Sequence, residues 1–413
     1  MSAHDSPQQS NPRPLEGIRV LDFTRVLSGP HCTRMLSDLG AEVIKVEPPE
    51  GDLTRFAFPR VGSMSTYFAQ QNIGKLNISL DLKQPEAIDL IKKVVAECDV
   101  LVENYRGGVM AKLGLSYDEL ATINPRLIYA SISGYGNSGP WMHRRAYATV
   151  VNAETGLTGI QARARGVFPS NDPHSHADVY TGMETAAAVL AALYQRTSTG
   201  VGQYIDVSMA QTMLYVNEHV QNELFEGDVP NDQIRSFQPG DYPILESKDG
   251  FQIVVSGHPA ERGTFDLFVT AMKRPHMYDD PRFADVASRL ENLAALQNEL
   301  REWARELTAQ EAEDVMAEAG LAMGIVRTMD ELAHTDWAKD RNVIVNADDR
   351  SGSSFRVPNS PWMFSGSDTG TRGIPKFRGE DNEEVLSRFA GLSHEEVERL
   401  TAAGVLSIRL PKK

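Results

Sequence analysis

Cysteine is nearly absent. The 413-residue chain has two, Cys32 and Cys98, too few for a disulfide framework and not spaced as metal ligands. A reducing, cytoplasmic setting fits, and neither a metal nor a redox cofactor is expected. No apolar run reaches membrane-spanning length. The opening stretch MSAHDSPQQSNPRP lacks the apolar segment of a signal peptide, so it reads as a disordered leader. Basic residues are outnumbered, with 41 Lys and Arg against 56 Asp and Glu, a net charge of −15. Such a chain repels phosphate polymers and anionic headgroups, which argues against nucleic-acid and membrane partners. An anionic small ligand would need a local cluster of basic groups. Also missing are a GxGxxG fingerprint, a Walker A loop, a GxSxG elbow, internal repeats and low-complexity tracts.

What is present is an alternation of strand and helix patterns. IRVLDF, residues 18–23, reads as a buried strand, followed by a helix that Gly29 and Pro30 open and Gly40 closes. AEVIKVEPP is a second strand, PEAIDLIKKVVAEC an amphipathic helix with Pro85 in its first turn, and DVLVENY and RLIYASISGYG further strands. This pattern predicts an α/β fold with a parallel sheet and right-handed crossovers. Residues 179–196 are apolar nearly all round and predict a deeply buried helix. A polar, turn-rich stretch near residues 226–245 predicts a crossing into a second domain, and the pattern changes again near 330–345. The expected division is 14–225, 226–334 and 335–413, the last segment returning to the first domain.

Asp178 stands directly before the long apolar helix. Asp is a preferred N-cap, worth roughly 1 kcal/mol. A carboxylate at the start of a buried helix is also held rigidly and favoured in its ionised form by the dipole, as a nucleophile should be. Both readings stand on the sequence. GYGNSGPWMHRRAY, residues 134–147, puts glycines before His143, Arg144, Arg145 and Tyr147. That pattern suits a phosphorylated ligand or a solvated surface loop equally. Arg106, Lys83 and Lys112 follow strand ends, where parallel sheets place ligands. His174 and His176 form half a metal site without a third ligand, Cys32 reads as core, and His31 and His143 read as isolated structural residues.

Several stretches in order resemble a known family. PLEGIRVLDFTRVLSGP, LGAEVIKVEPP, GDLTR, LDLK, DVLVENYRGGVMAKLGL, NPRLIYASISGYGNSGP, AD-x-x-TGM and TGVGQYIDVSM are similar to class III CoA-transferases, the CaiB/BaiF family of formyl-CoA and carnitine CoA-transferases. The likeness runs from Pro14 to Met209 and resumes at AGLAMGIVRTMDELAHTDWAKDRN and VPNSPWMFSG. It implies a Rossmann-like large domain, a smaller α+β domain, and a homodimer of two interlocked chains. It implies acyl-CoA and a small carboxylic acid as substrates and Asp178 as the nucleophile. It implies coenzyme A contacts at Leu27 and Ser28, at Leu80, Asp81, Leu82 and Lys83, at Asn104, Tyr105 and Arg106, at Lys112, and at Arg144, Arg145, Ala146 and Tyr147. Formyl-CoA transferases carry Gln in the place of Leu27, Glu in the place of Ala148 and a tetraglycine loop, which argues against an oxalate/formyl pair. The related 2-methylacyl-CoA racemases carry a His in the place of Tyr147, so that activity is the rival reading, with His143 as substitute. A non-catalytic acyl-CoA-binding protein is a further rival. Phe58, Tyr67, Tyr180 and Tyr147 suggest a partly aromatic acyl site.

Overall fold

The computed structural model describes residues 11–218, 220–224 and 241–410. The first ten residues and most of the predicted crossing at 226–245 lie outside that range. The described part of the expected leader is not loose. The Arg13 guanidinium donates to the carbonyls of Asp38 and Gly370, each at 3.3 Å.

Two compact units are present. One gathers the described residues up to Leu157, Asn171–Val220 and those from Asp336 onward. The other takes Thr158–Ser170 and Gln221–Thr335. The first unit is built in the order β1 (Arg19–Asp22), α1 (Ser28–Asp38), β2 (Glu42–Glu47), α2 (Thr66–Asn72), β3 (Leu76–Ser79), α3 (Pro85–Ala96), β4 (Val100–Glu103), β5 (Ile128–Ser133), α4 (Ala148–Glu154), α5 (His176–Thr199) and β6 (Gln203–Ser208). Its six strands are all parallel, in the order β3-β2-β1-β4-β5-β6. That is the doubly wound arrangement, with a switch point between β1 and β4.

Alternation along the strands explains the layers. Leu21, Ile44, Val46, Ile78 and Leu101 pack one face against α3 and two late helices described below. Val20, Val43, Val100, Val102 and Ile128 pack the other face against α1 and α5. Strands apolar on both sides need helices on both sides, as in parallel sheets generally.

The second unit holds an antiparallel sheet of β7 (Ile244–Glu246), β8 (Gln252–Val255) and, later in the chain, β9 (Met323–Ile325), with β8 central. Helices α6 (Thr264–Met272), α7 (Leu293–Ala304) and α8 (Ala309–Glu318) supply its core around Phe265, Phe268, Leu296, Leu300 and Trp303. A capping box between Thr308 and Glu311 starts α8. In the first unit, the hairpin β10 (Ile344–Asp348) and β11 (Ser354–Pro358) packs Phe355 and Val357 against Phe68 of α2. Helices α9 (Asn382–Ala390) and α10 (His394–Ala402) then close the first face of the large sheet with Val385, Leu386, Val397 and Leu400.

The expectation of an all-round buried helix is corrected. Helix α5 buries Ala177, Thr181, Thr185, Val189 and Leu193, but Tyr180, Met183, Ala187, Ala191 and Tyr194 form an exposed stripe along its other side. An apolar sequence marks residues that tend to avoid water, but one side of this helix is left uncovered by the rest of the chain.

Candidate active site

The site begins with the loop after β1. Val26 sits at φ +66°, a left-handed conformation unusual for a β-branched residue. Strain of this kind persists only where the surroundings over-determine it. Here Asp52 Oδ2 accepts from the Val26 N–H at 3.1 Å, and Asn104 grips the neighbouring Arg25 by both its N–H and its carbonyl, each at 2.8 Å. Beneath the loop, Lys45 Nζ donates to the Thr24 carbonyl at 2.8 Å. Lys75 Nζ meets Asp22 Oδ2 at 3.0 Å and Thr33 Oγ1 at 2.8 Å. Burial disfavours the Asp22 charge, yet Lys75 and Lys45 together hold its carboxyl below the usual carboxylate range. Burial also brings the Lys75 ammonium down to about 8 against the pull of Asp22.

Asp178 lies at this loop, and it is not a helix cap. Ser175 is the N-cap of α5 and makes no side-chain capping bond, and Asp178 is the third residue inside the helix. Its carboxylate instead faces the Ser28 hydroxyl and the backbone N–H groups of Ser28 and Ala148, which favour its ionised form. Ser28 and Ala148 are the first residues of α1 and α4. The positive ends of these helices therefore meet at one carboxylate. Burial nevertheless outweighs them and pushes the Asp178 carboxyl up to about 6. The dipole alone does not set its charge, contrary to the sequence-based expectation, and at neutral pH the group is still mostly ionised.

Two glycines make the approach possible. A Cβ on Gly182, one turn after Asp178, would lie 2.6 Å from the Ser28 carbonyl oxygen and 3.1 Å from His31 Cβ. A Cβ on Gly134 would lie 2.2 Å from Ala146 Cβ, so only glycine lets the 144–148 segment rest on the end of β5.

His31 is not isolated, which corrects another expectation. Its Nδ1 lies 3.3 Å from Gln71 Oε1, and its ring packs at Gly182, beside the Asp178 turn. Burial, with help from Arg34 and Lys75, lowers its basicity and keeps it neutral. Tyr67, one turn before Gln71 on α2, has its phenol pushed up to about 12 by burial and by the negative charges of Asp178 and Asp52. Ser28 and Tyr67 thus face the carboxylate, and the paired His31 and Gln71 lie one turn further along the same two helices. Helical spacing from Ser28 to His31 and from Tyr67 to Gln71 is legible in the sequence, but their convergence on Asp178 is not.

The other expected contacts all follow the ends of β1, β3, β4 and β5. Leu27 and Ser28 are buried at the start of α1. Leu80 is fully buried and bridged to Leu406, so its side chain is closed to a ligand. Asp81 and Leu82 are half-buried, while Lys83, Arg106 and Lys112 are exposed. Asn104 and Tyr105 are half-buried at the switch point. Beneath them burial lifts the Glu103 carboxyl to about 7, against bonds from the Ser131 hydroxyl and the Tyr105 N–H. Arg144 is not a free cation. It pairs with Glu154 at 2.5 Å and stacks on Tyr135 and Trp141. Arg145 and Tyr147 are exposed and Ala146 is half-buried. Of the suggested aromatic lining, Phe58 is exposed and Tyr180 stacks on His176, which also meets Asp172 at 3.4 Å. Among the described residues no group of His, Cys, Asp and Glu could hold a metal ion, and no helix is long and apolar enough to cross a membrane.

The model of CoA-transferase family III matches residues 15–382. The chain belongs to CoA-transferase family III. It is an enzyme of this CoA-transferring class. This family III member is 35% identical to the acetyl-CoA:oxalate CoA-transferase of Acetobacter aceti over 364 residues, covering 86% of this chain and 90% of that protein. It is 29% identical to the succinyl-CoA:glutarate CoA-transferase of Homo sapiens, covering 96% and 91% of the two. Among solved structures, a CaiB/BaiF family protein from Brucella suis superposes with a TM-score of 0.78 at 30% identity, covering 92% of this chain and all of that one.

Proposed function

We propose that the enzyme moves CoA from an acyl-CoA to a carboxylic acid, with Asp178 as nucleophile. The observation that carries this reading is that the Asp178 carboxylate does not cap its own helix. It faces the Ser28 hydroxyl and the N–H groups of Ser28 and Ala148, which come from two other helix starts. Donors so placed stabilise oxyanions that form on an attacked carbonyl. An Asp178 oxygen attacks the thioester carbon, the C–S bond breaks, and CoA thiolate leaves a mixed anhydride. The thiolate attacks the aspartyl carbonyl, releasing the donor acid and leaving an aspartyl-CoA thioester. The acceptor carboxylate displaces CoA thiolate to form a second anhydride. Thiolate attack on the acceptor carbonyl then yields the new acyl-CoA and restores Asp178. Each covalent state conserves the energy of the thioester, provided water is kept out.

The proposed contacts for coenzyme A are the loops after β1, β3, β4 and β5 named above. The relatives' names pair short acyl-CoAs with oxalate or glutarate, and we assign short carboxylic acids, dicarboxylates among them, as the acyl class here. Neutral His31 and the Tyr67 phenol supply uncharged polar groups near the nucleophile for such acids. Interlocking with a second copy would cover the exposed stripe of Tyr180, Met183 and Tyr194. A cytoplasmic setting accords with the two free, buried thiols. His143, which a racemase would need as its second base, is exposed on the 140s loop. Intact mass after incubation with a panel of acyl-CoAs tests the proposal. A hydroxylamine-labile adduct on wild type, absent from Asp178→Ala, is expected. CoA binding without any adduct would return Asp178 to a structural role.

A further inference from the structure

A second cluster of charge lies away from Asp178. A cavity of about 540 Å³ in the first unit is lined by Glu50, Arg55, Phe56, Arg60, Arg378 and Arg409, among others. Four guanidinium groups in one cavity are notable in a chain of net charge −15. Two of them are already engaged. Arg55 forks onto Glu47, with Nε–Oε2 at 2.8 Å, and also reaches the Lys376 carbonyl. Arg60 donates to the Ser63 carbonyl at 3.2 Å.

Arg378 and Arg409 are different. Their backbones are bridged, with the Arg409 N–H donating to the Arg378 carbonyl at 2.9 Å, so the two side chains are neighbours. Among the described residues neither forms an ion pair. Arg378 Nε is buried without a hydrogen-bond partner. The Arg409 guanidinium lies 6.0 Å from the Phe56 ring centroid. Burial lowers the Arg378 pKa; Glu47 and Glu50 oppose this by attraction, while Arg409 and Arg55 add repulsion. Like charges set side by side are unfavourable, and a buried donor without a partner adds to the cost. An anion would relieve both at once.

We propose that Arg378 and Arg409 form a phosphate-binding site whose ligand is a phosphomonoester on a small organic body. A phosphomonoester carries close to two negative charges and three acceptor oxygens, which match paired guanidinium forks. Phe56, Phe377 and Met64 give the same cavity an apolar side for the body that bears the phosphate. The phosphate has two sources. One is the ribose 3′-phosphate of coenzyme A, and that source alone rests on the proposed function. In its favour, Leu80 is bridged to Leu406, the Asp81 N–H donates to the Val405 carbonyl at 2.9 Å, and the Ser407 N–H to Ser79 at 3.0 Å. The segment that carries Arg409 thus runs beside the Leu80–Lys83 stretch. The other source is a separate phosphorylated metabolite.

Calorimetric titration of the full-length protein with adenosine 3′,5′-bisphosphate tests the site, on wild type, Arg378→Gln and Arg409→Gln. Each substitution is expected to weaken binding about tenfold or more, with Arg409→Lys retaining part of it. The ligand-free melting temperature should change little, since loss of the Arg378–Arg409 repulsion is set against loss of the attraction to Glu47. Absence of binding to wild type, or equal binding to all variants, overturns the site. Competition assigns the source. Displacement of the bisphosphate by CoA, and about tenfold less readily by 3′-dephospho-CoA, identifies the phosphate as that of coenzyme A. Simultaneous binding of CoA and bisphosphate identifies a separate ligand. The Asp178 adduct is read independently in the same variants, so loss of phosphate binding with the adduct intact, or the reverse, shows which proposal has failed.

Discussion

Asn104 Nδ2 donates to Ser28 Oγ at 3.2 Å. The orientation of the amide is fixed, because the same side chain gives an N–H to the Arg25 carbonyl and takes the Arg25 N–H on Oδ1. With one Oγ lone pair occupied, the Ser28 hydroxyl hydrogen can turn toward Asp178. The pairing joins the end of β4 to the start of α1 across the switch point of the sheet, and so couples the fold to the charge of the proposed nucleophile.

The Asp178 carboxyl, raised to about 6 by burial, sets a pH dependence. Adduct formation from an acyl-CoA needs the carboxylate, so its initial rate should rise about tenfold per pH unit below 6 and level off above 7. Quench-flow mass analysis between pH 5 and 8 reads the curve. A flat profile would mean that Asp178 ionisation is not involved.

The same shift has a stability consequence. A folded-state value above the ordinary 3.8 of an Asp carboxyl means that, between the two values, the native state holds a proton which the unfolded state has lost. Stability therefore falls as pH rises from about 4 to about 6 and stays lower above that. Asp178→Asn removes the buried charge and is expected to gain about 1–2 kcal/mol at pH 7.5 and about half of that at pH 5. Urea denaturation at the two pH values measures the difference, and loss of stability at both would contradict it.

Ser28→Ala removes the hydroxyl that faces Asp178 but leaves both N–H groups. Its adduct rate should drop about tenfold to a hundredfold. The midpoint of its pH profile should move upward, since the lost hydroxyl favoured the ionised form. A slower rate with an unmoved midpoint would separate Ser28 from the carboxylate.

Gly182→Ala would put a methyl group 2.6 Å from the Ser28 carbonyl oxygen. Helices α1 and α5 would have to part, at a cost of about 1–3 kcal/mol. A lower melting temperature is expected, together with a loss of adduct formation larger than the loss of CoA binding. Unchanged melting would show that the helices can separate freely.

Lys75→Met strands Asp22, which is fully buried and meets Lys75 at 3.0 Å. Breaking such a pair on one side costs about 3–5 kcal/mol. Replacing both, as in Asp22→Leu with Lys75→Met, should recover much of the loss. Chemical denaturation of the single and double variants distinguishes a stranded charge from lost packing.

The local features of this protein were written in its sequence. Period-two and period-3.6 patterns, with Gly29, Pro30, Gly40 and Pro85 as punctuation, define β1, α1, β2 and α3 because each depends on neighbours a few residues away. A long apolar helix starting close to Asp178 was legible for the same reason, and ordered motifs pointed to the family. The tertiary structure decided the rest. It placed Ser175 rather than Asp178 at the cap and brought Ser28 and Ala148 to the carboxylate. It turned His31 toward Gln71 and Gly182, engaged Arg144 with Glu154, and left one side of α5 in water. These outcomes depend on burial and on hydrogen bonds between residues far apart in the chain. A linear pattern specifies which residues seek the interior, whereas charge state and partner depend on what meets them there.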